Sequence, residues 1–440
     1  MNDNNNGNSL SKILPLLMLL LGFVSANQWS PIPIGNTTTT WLLDIGILIT
    51  LFLLKLKNKV KFFSWDYITT TLFLCIAVAG FFRGSFTADN YWEWKNLISN
   101  MMILLMPICV FTFYEPSYIQ NSVRMWFKYG LIAYALFFFW MVGISQFYLA
   151  PIFFAASFLP LIPKRRWKVI VILLTIALLA YQYQDNRSQA IKAIVALSMA
   201  LGCILHKWIP NILLKAIQVA LIVVPCYLLY LGFTGEYNIF EEINDKYKDQ
   251  DKIEVEVVDE DGFVHKVDAD AVDDTRTFIY EEVAMSAVYN DYIVWGRTPA
   301  RGNDTYFFYD LAQSLRQTKY EDTIKNERSM NELCFPNIFT WLGLVGMISY
   351  ILIYLHASFL AVYRSKSFYM KMIGVYIAFN FAFGWVENTT VFDILNFVYW
   401  FAISMALSTK FRNMTDKEFK AWFAEIFNIK YKLYIPTPQA

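Results

Sequence analysis

The sequence predicts an all-α polytopic membrane protein with about twelve transmembrane helices. Three observations predict this class. The chain of 440 residues is 57% hydrophobic and 18% aromatic. Only 17% of its residues are charged, whereas soluble domains carry roughly 25%. Apolar runs of helical length recur along the chain, and a helix needs about 20 apolar residues to cross a bilayer.

The apolar runs fall into two groups around one long polar segment. We therefore expect an N-terminal membrane bundle over 1–232, an outer loop over 233–334, C-terminal membrane helices over 335–409 and a tail over 410–440. The first run resembles the apolar region of a signal peptide, but we expect it to remain as an uncleaved helix. The expected spans are 12–28, 40–56, 67–84, 97–114, 125–144, 146–162, 167–183, 189–205, 210–232, 335–360, 370–387 and 390–409.

Basic residues in the short loops predict the orientation of the bundle. Lys and Arg cluster after alternate spans, in segments such as 55–61, 163–168 and 410–420, and are almost absent from the other loops. The positive-inside rule then puts both termini in the cytoplasm and the 233–334 loop outside.

The outer loop contains two recognisable elements. Residues 252–267 alternate apolar and polar side chains around Asp261-Gly262, which is typical of a β-hairpin. Residues 273–292 have the pattern of an amphipathic helix. The residues that share one face of this helix are Arg276, Ile279 or Tyr280, Val283 and Ala287.

Arginines mark the expected outer surface. Arg187 directly precedes an apolar run, and Arg276, Arg297, Arg301 and Arg328 lie in the outer loop. The planar guanidinium group presents a fork of donors that suits phosphate oxygens. We expect a basic pocket for a lipid that carries a phosphate or pyrophosphate. The alternative for each residue is an ordinary hydrated interface. Neighbouring aromatic residues, Trp295 among them, either stack on sugar rings or form an interfacial belt.

Several classes of function lack support in the sequence. No phosphate-binding or dinucleotide-binding glycine motif is present, so we expect no ATP or NAD cofactor. The five cysteines have no metal-ligand spacing and only three histidines exist, so we expect no metal site. A net charge of +1 gives no reason to expect a nucleic-acid partner. We also expect no broken helix and no ionisable site at mid-membrane, features that are typical of transporters.

The order of motifs resembles that of a known family. An arginine ends one span, an arginine-bearing helix opens the outer loop, a "GRTPARG" turn spans 296–302, and "WLGLVG" spans 341–346. Over about 180–350 the chain resembles the O-antigen ligase and O-antigen polymerase superfamily of bacterial envelope glycan transferases. The resemblance implies a metal-independent glycosyltransferase that uses undecaprenyl-pyrophosphate-linked saccharide at the periplasmic face. The pyrophosphate would be held by Arg187, Arg276, Arg297 and Arg301.

One departure from the family pattern bears on the reaction. Ligases of this family carry a His-Asn pair before the last Leu-Gly, where this chain has Asn331-Glu332 ahead of Gly343. We therefore expect a polymerase of O-antigen or capsule repeat units. The alternatives are a ligase that transfers glycan to lipid A–core and a lipid-linked oligosaccharide flippase or transporter. A further alternative is a structural membrane subunit that positions other envelope enzymes.

The reaction that the resemblance implies also needs a proton acceptor and contacts to the saccharide. Glu332 or Glu281 would take the proton of the attacking sugar hydroxyl. Asn331, Trp295 and Arg328 would contact the motif region and the saccharide. The expected partners are the lipid membrane and the lipid-linked glycan, with the lipid A–core acceptor in the case of a ligase. Other polysaccharide-assembly proteins are further candidate partners.

Overall fold

The computed structural model describes residues 3–27, 37–58, 60–181, 187–234, 252–258, 264–270, 275–305 and 327–428. Within these residues the chain is a bundle of α-helices with two short pairs of strands. The helices are α1 Asp3–Asn27, α2 Thr37–Asn58, α3 Ile68–Thr87, α4 Tyr91–Thr112, α5 Pro116–Val142, α6 Gln146–Ser157, α7 Arg165–Ala180, α8 Arg187–Ile204, α9 Asn211–Thr234, α10 Thr275–Tyr289, α11 Cys334–Arg364, α12 Phe368–Phe383, α13 Ile394–Leu407 and α14 Asp416–Ile426. The strands are β1 Lys252–Val258, β2 Val264–Asp270, β3 Asn303–Asp304 and β4 Glu327–Arg328.

The helices confirm the predicted class of protein. In the described part of the chain, 7 helices are long and apolar enough to cross a membrane, and shorter apolar helices lie between them. The chain is therefore an all-α, multi-pass membrane protein. Each of the expected spans overlaps one of these helices. The total number of membrane crossings stays a prediction, as do the identity of the membrane and the orientation of the chain in it.

The loops between the helices separate into two ends of the bundle. The basic loops meet at one end, here called the basic end. The contacts that join them include Arg412 with Asp66, Lys410 with Glu115 and Lys371 with Asn211. The polar segments around residues 88–93, 290–305 and 385–393 lie at the opposite end, here called the loop end. This separation is what the positive-inside pattern predicts for two sides of a membrane.

Helix α13 forms the centre of the bundle. All of its side chains from Ile394 to Leu407 are buried, which explains why its sequence has no polar face. It packs against α6, α11, α12 and the last turn of α4. The carboxylate of Asp393 caps its first turn by accepting a 2.7 Å hydrogen bond from the Asn396 amide. This packing fixes the segment 384–393, which enters α13 at the loop end.

Helix α11 is broken, contrary to our expectation from the sequence. Gly343 has φ 68° and ψ −166°, so the helix stops there and restarts at the next residue. Only glycine adopts this region of φ/ψ space readily, because it has no Cβ. The sequence showed the glycine but not the conformation, which depends on what packs against it.

The outer-loop elements fall where their patterns predict them. Strand β1 pairs with β2 in antiparallel register from Lys252↔Asp270 to Val258↔Val264. Helix α10 lies within the predicted 273–292 segment, and its Ile279, Val283 and Ala287 are buried. Leu333 and Phe339 pack against this face, so α10 is held on the loop end of α11.

The expected tail contains a packed helix. In α14 the buried residues Phe419, Trp422, Phe423 and Ile426 recur at helical spacing. Thr415 and Glu418 form a capping box at its start. The Trp422 indole donates a 3.0 Å hydrogen bond to the Pro116 carbonyl. Residues 416–426 therefore belong to the basic end of the bundle.

Candidate functional site

The break in α11 is the point where the "GRTPARG" turn docks. Gly343 and Gly296 both have positive φ, 68° and 72°. A Cβ on Gly296 would lie 2.4 Å from the Leu342 nitrogen, and a Cβ on Gly343 would lie 2.3 Å from the Val294 carbonyl oxygen. The two backbones thus approach so closely that neither glycine can carry a side chain. The two motifs that carry the family resemblance are in direct contact.

Backbone hydrogen bonds complete this contact. The Leu344 amide donates to the Ile293 carbonyl at 2.9 Å, and the Arg297 amide donates to the Thr340 carbonyl at 2.7 Å. Arg83 of α3 adds a 3.1 Å bond from its guanidinium to the Gly296 carbonyl. A helix broken inside a membrane protein needs partners for its freed backbone groups. The loop supplies them, so the break has a structural explanation.

Arg297 is surrounded by acceptors. Its guanidinium donates to the Asp304 carboxylate at 2.7 Å and to the Gly302 carbonyl at 3.0 Å, and it pairs with Glu327 at 3.1 Å. Only 15% of the side chain is exposed. Asp304 also accepts from Asn290 near the end of α10. These bonds tie the loop to α10 and to strand β4.

Arg301 shares Glu327 with Arg297. Its Nε lies 3.0 Å from both carboxylate oxygens of Glu327, and Glu93 of α4 lies 3.8 Å away. The hydrogen bond to Glu327 raises the pKa of Arg301 above its ordinary value. We call Arg297, Arg301, Asp304 and Glu327 the clamp. A phosphate would have to displace these carboxylates to reach Arg297, whereas the Arg301 side chain is 33% exposed.

Asn331 and Glu332 differ in their surroundings. Asn331 is buried. Its side chain donates to the Asn303 side chain at 2.9 Å, and its backbone N–H donates to the Asn337 side chain at 2.6 Å. Glu332 has a side chain that is 65% exposed and pairs at 3.4 Å with Arg328. Asn331 therefore holds two loops together, and Glu332 faces the surroundings.

The starts of α8 and α10 contact one short segment. The Tyr280 hydroxyl, one turn after Arg276, donates to the Trp385 carbonyl at 2.5 Å. Ser188, which follows Arg187, donates to the Glu387 carboxylate at 2.6 Å. Helix α8 through Ser188 in its first turn, and helix α10 through Tyr280 in its second turn, thus both contact the segment 385–387. Each of these helices has an arginine in its first turn, and helix N-termini favour anions because their amides and dipoles point outward.

The four arginines therefore fall at two places. Trp385 binds Tyr280, whereas the clamp binds Asn290 at the other end of α10. Ten residues of helix separate these contacts, or about 15 Å. Arg187 is exposed, and no hydrogen bond or ion pair holds it among the described residues. The side chain of Arg276 lies outside the described residues.

The other predicted site residues are at the surface. Glu281 is exposed on α10, beside the buried Glu282. The Trp295 side chain is 58% exposed, and its position on the docked loop leaves the indole available for a ligand. Their predicted roles stay predictions.

A buried polar cluster was not anticipated from the sequence. The ammonium of Lys192 on α8 donates to Gln146 at 2.7 Å, to Ser188 at 2.5 Å and to Glu387 at 3.0 Å. Gln189 accepts a 3.1 Å bond from the Gln146 amide. We call these five residues the Lys192 cluster. The sequence pattern could have predicted part of this cluster, because the polar positions 188, 189 and 192 share one face of an otherwise apolar helix.

Comparison with known proteins adds no assignment. No model of a known protein family matches the chain, and no curated protein is significantly similar to it.

Proposed function

We propose that this chain is a membrane glycosyltransferase that uses undecaprenyl-pyrophosphate-linked saccharide. It would act at the periplasmic face of a bacterial inner membrane and polymerise O-antigen or capsule repeat units. The observation that carries the proposal is that α8 and α10, which both have an arginine in the first turn, both contact the segment 385–387. The two negative charges of a lipid pyrophosphate suit such a place, since each helix start has one arginine and a helix dipole that favours anions.

The reaction needs little more than a stabilised leaving group. A sugar hydroxyl attacks the anomeric carbon of the donor, and the bond from that carbon to the pyrophosphate oxygen breaks. The departing pyrophosphate gains negative charge, which Arg187 and Arg276 would stabilise. The activated bond is already present in the lipid-linked donor, so the chain needs no nucleotide site.

The clamp has a supporting role in this proposal. Arg297 and Arg301 are engaged with Glu327 and Asp304, and the loop that carries them is fixed to α11. They would hold the loop end in shape and keep Trp295 on the surface for contact with the saccharide. Asn331 would act in the same way, by joining its loop to Asn303.

A transporter is the second candidate, and two observations favour it. Helix α11 is broken at Gly343, and Lys192, Asp44 and Asp393 are ionisable residues buried in the bundle. Transporters use such features at their binding sites. The break, however, is filled by the backbone of the docked loop, and Lys192 lies near the start of α8. These two facts favour the enzyme.

Deletion of the gene tests the proposed function. We expect surface glycan from the deletion strain to keep a single repeat unit and to lose its long chains on a gel. Loss of all glycan from lipid A–core would instead identify a ligase. Lipid-linked repeat units that accumulate on the cytoplasmic side would identify a flippase. Unchanged glycan would reject the glycosyltransferase.

A further inference from the structure

The Lys192 cluster places a buried cation next to the proposed pyrophosphate site. The Lys192 side chain is only 4% exposed, and its three bonded partners all come from the loop end of the bundle. An ammonium group buried in a membrane protein is costly unless it is paired, so its presence calls for a reason. Its charged partner is Glu387, which Ser188 links to the start of α8.

Glu387 is held on one side only. Its Oε1 accepts from Lys192 at 3.0 Å and from Ser188 at 2.6 Å. No bond to its Oε2 occurs within the described residues. The Glu387 side chain is 22% exposed, so the carboxylate is fixed by the cluster and still reaches the surface. Its backbone carbonyl accepts a 3.2 Å bond from the Cys334 amide, which fixes the main chain as well.

The two carboxylates proposed from the sequence lack this support. Glu332 is largely exposed, and its one ion pair, at 3.4 Å, is with a neighbour on its own loop. Glu281 is exposed on the outer face of α10. A general base has to be held within hydrogen-bond distance of the hydroxyl that it deprotonates. Glu387 satisfies this requirement best, because Lys192 and Ser188 of α8 hold its carboxylate, and Trp385, two residues earlier, contacts α10.

We infer that Glu387 is the general base of the glycosyl transfer, and that Lys192 and Ser188 are its positioning residues. The inference rests on the proposed function. As the acceptor oxygen forms its bond to the anomeric carbon, its proton passes to Oε2 of Glu387. The bond from the anomeric carbon to the pyrophosphate breaks, and its electron pair leaves with the pyrophosphate. Glu387 then releases the proton to water.

The experiment compares three carboxylate-to-amide variants in the deletion strain and in nanodiscs. Glu387→Gln keeps the acceptor for Lys192 and Ser188 but cannot take a proton. We expect it to leave surface glycan at one repeat unit. With lipid-linked repeat units extracted from the deletion strain, its kcat should fall at least about 100-fold, the usual contribution of a general base. The same loss in Glu332→Gln or Glu281→Gln, together with a normal kcat for Glu387→Gln, would instead assign the base to one of those two residues.

Binding and folding separate a catalytic role from a structural one. Undecaprenyl pyrophosphate, titrated into nanodisc-embedded Glu387→Gln, should bind within about twofold of wild type, because the arginines are intact. Ser188→Ala should lower kcat with an unchanged KM. If Glu387→Gln does not fold, Glu387→Asp decides, since a carboxylate displaced by about 1 Å should cost tenfold or more in kcat.

Three results would overturn the inference. Unchanged glycan in the deletion strain would reject the proposed function and this inference with it. Shortened glycan in the deletion strain that Glu387→Gln restores to full length would reject Glu387 as the base and leave the proposed function standing. A normal kcat for Glu387→Asp would reject it as well.

Discussion

Two sets of arginines at the loop end have the same chemistry and different surroundings. Arg297 and Arg301 lie in the clamp, where Glu327 and Asp304 occupy their donors. Arg187 heads α8 with its side chain exposed, and Arg276 lies in the first turn of α10. A guanidinium group that is already paired stabilises a fold, whereas one at an open helix start can receive an anion. Pairing thus separates two functions that residue type alone does not.

The largest loss of stability is expected where the "GRTPARG" turn docks on the break in α11. Gly343→Ala would add a Cβ to a residue with φ 68°, 2.3 Å from the Val294 carbonyl oxygen. Backbone strain and overlap together should destabilise the protein by about 3–5 kcal/mol. The melting temperature of the purified protein in detergent measures this loss.

The matched control for this change is another glycine in a span. A Cβ on Gly46 of α2 would have no atom within 4 Å. Gly46→Ala should therefore leave the melting temperature unchanged or raise it, by up to about 1 kcal/mol in stability. Equal melting temperatures for the two alanine variants would show that the docking of the loop on Gly343 does not stabilise the fold.

A smaller loss of stability is expected when the charge of Glu327, the shared counter-ion of the clamp, is removed. Glu327→Gln removes the charge that Arg297 and Arg301 share while it keeps the side-chain shape. Removal of one partner from a buried ion pair is costly, and partial exposure of Arg301 moderates the loss to about 2–3 kcal/mol. Accelerated hydrogen exchange of the amides at 296–304 would report the loosened loop.

The smallest effect is expected at the exposed pair of Glu332 and Arg328. Glu332→Gln breaks an ion pair in which the acid is 65% exposed, so the loss should be less than about 0.5 kcal/mol. The same exchange measurement serves as the control for Glu327→Gln. If both variants exchange alike, the clamp is no more important to the fold than a surface pair.

The sequence was sufficient for the features that depend on local pattern. Apolar runs predict the helices, because each span has to satisfy its own backbone. The buried face of α10 follows from the spacing of Ile279, Val283 and Ala287. The helical spacing of Phe419, Trp422 and Phe423 also carried the signal for α14, although we had expected only a tail over 410–440.

The features that depend on tertiary contacts could not be predicted from the sequence. Glu327 is 26 residues from Arg301 along the chain, and nothing local indicates that the two form a pair. Lys192 lies in an apolar run, and its partner Glu387 comes from a segment 195 residues away. The break at Gly343 likewise depends on a loop that packs against it. The role of each charge therefore follows from its partners.

One measurement tests the division between the two sets of arginines most directly. Arg187→Gln and Arg297→Gln are compared for melting temperature and for binding of undecaprenyl pyrophosphate in nanodiscs, by native mass spectrometry. Arg187→Gln should weaken binding about 10–100-fold, the value of one charge-assisted contact, with an unchanged melting temperature. Arg297→Gln should lower the melting temperature, because it leaves Asp304 without its cation, while the folded fraction still binds. If Arg297→Gln weakens binding at an unchanged melting temperature and Arg187→Gln does not, Arg297 binds the pyrophosphate and Arg187 does not, which contradicts the proposed division.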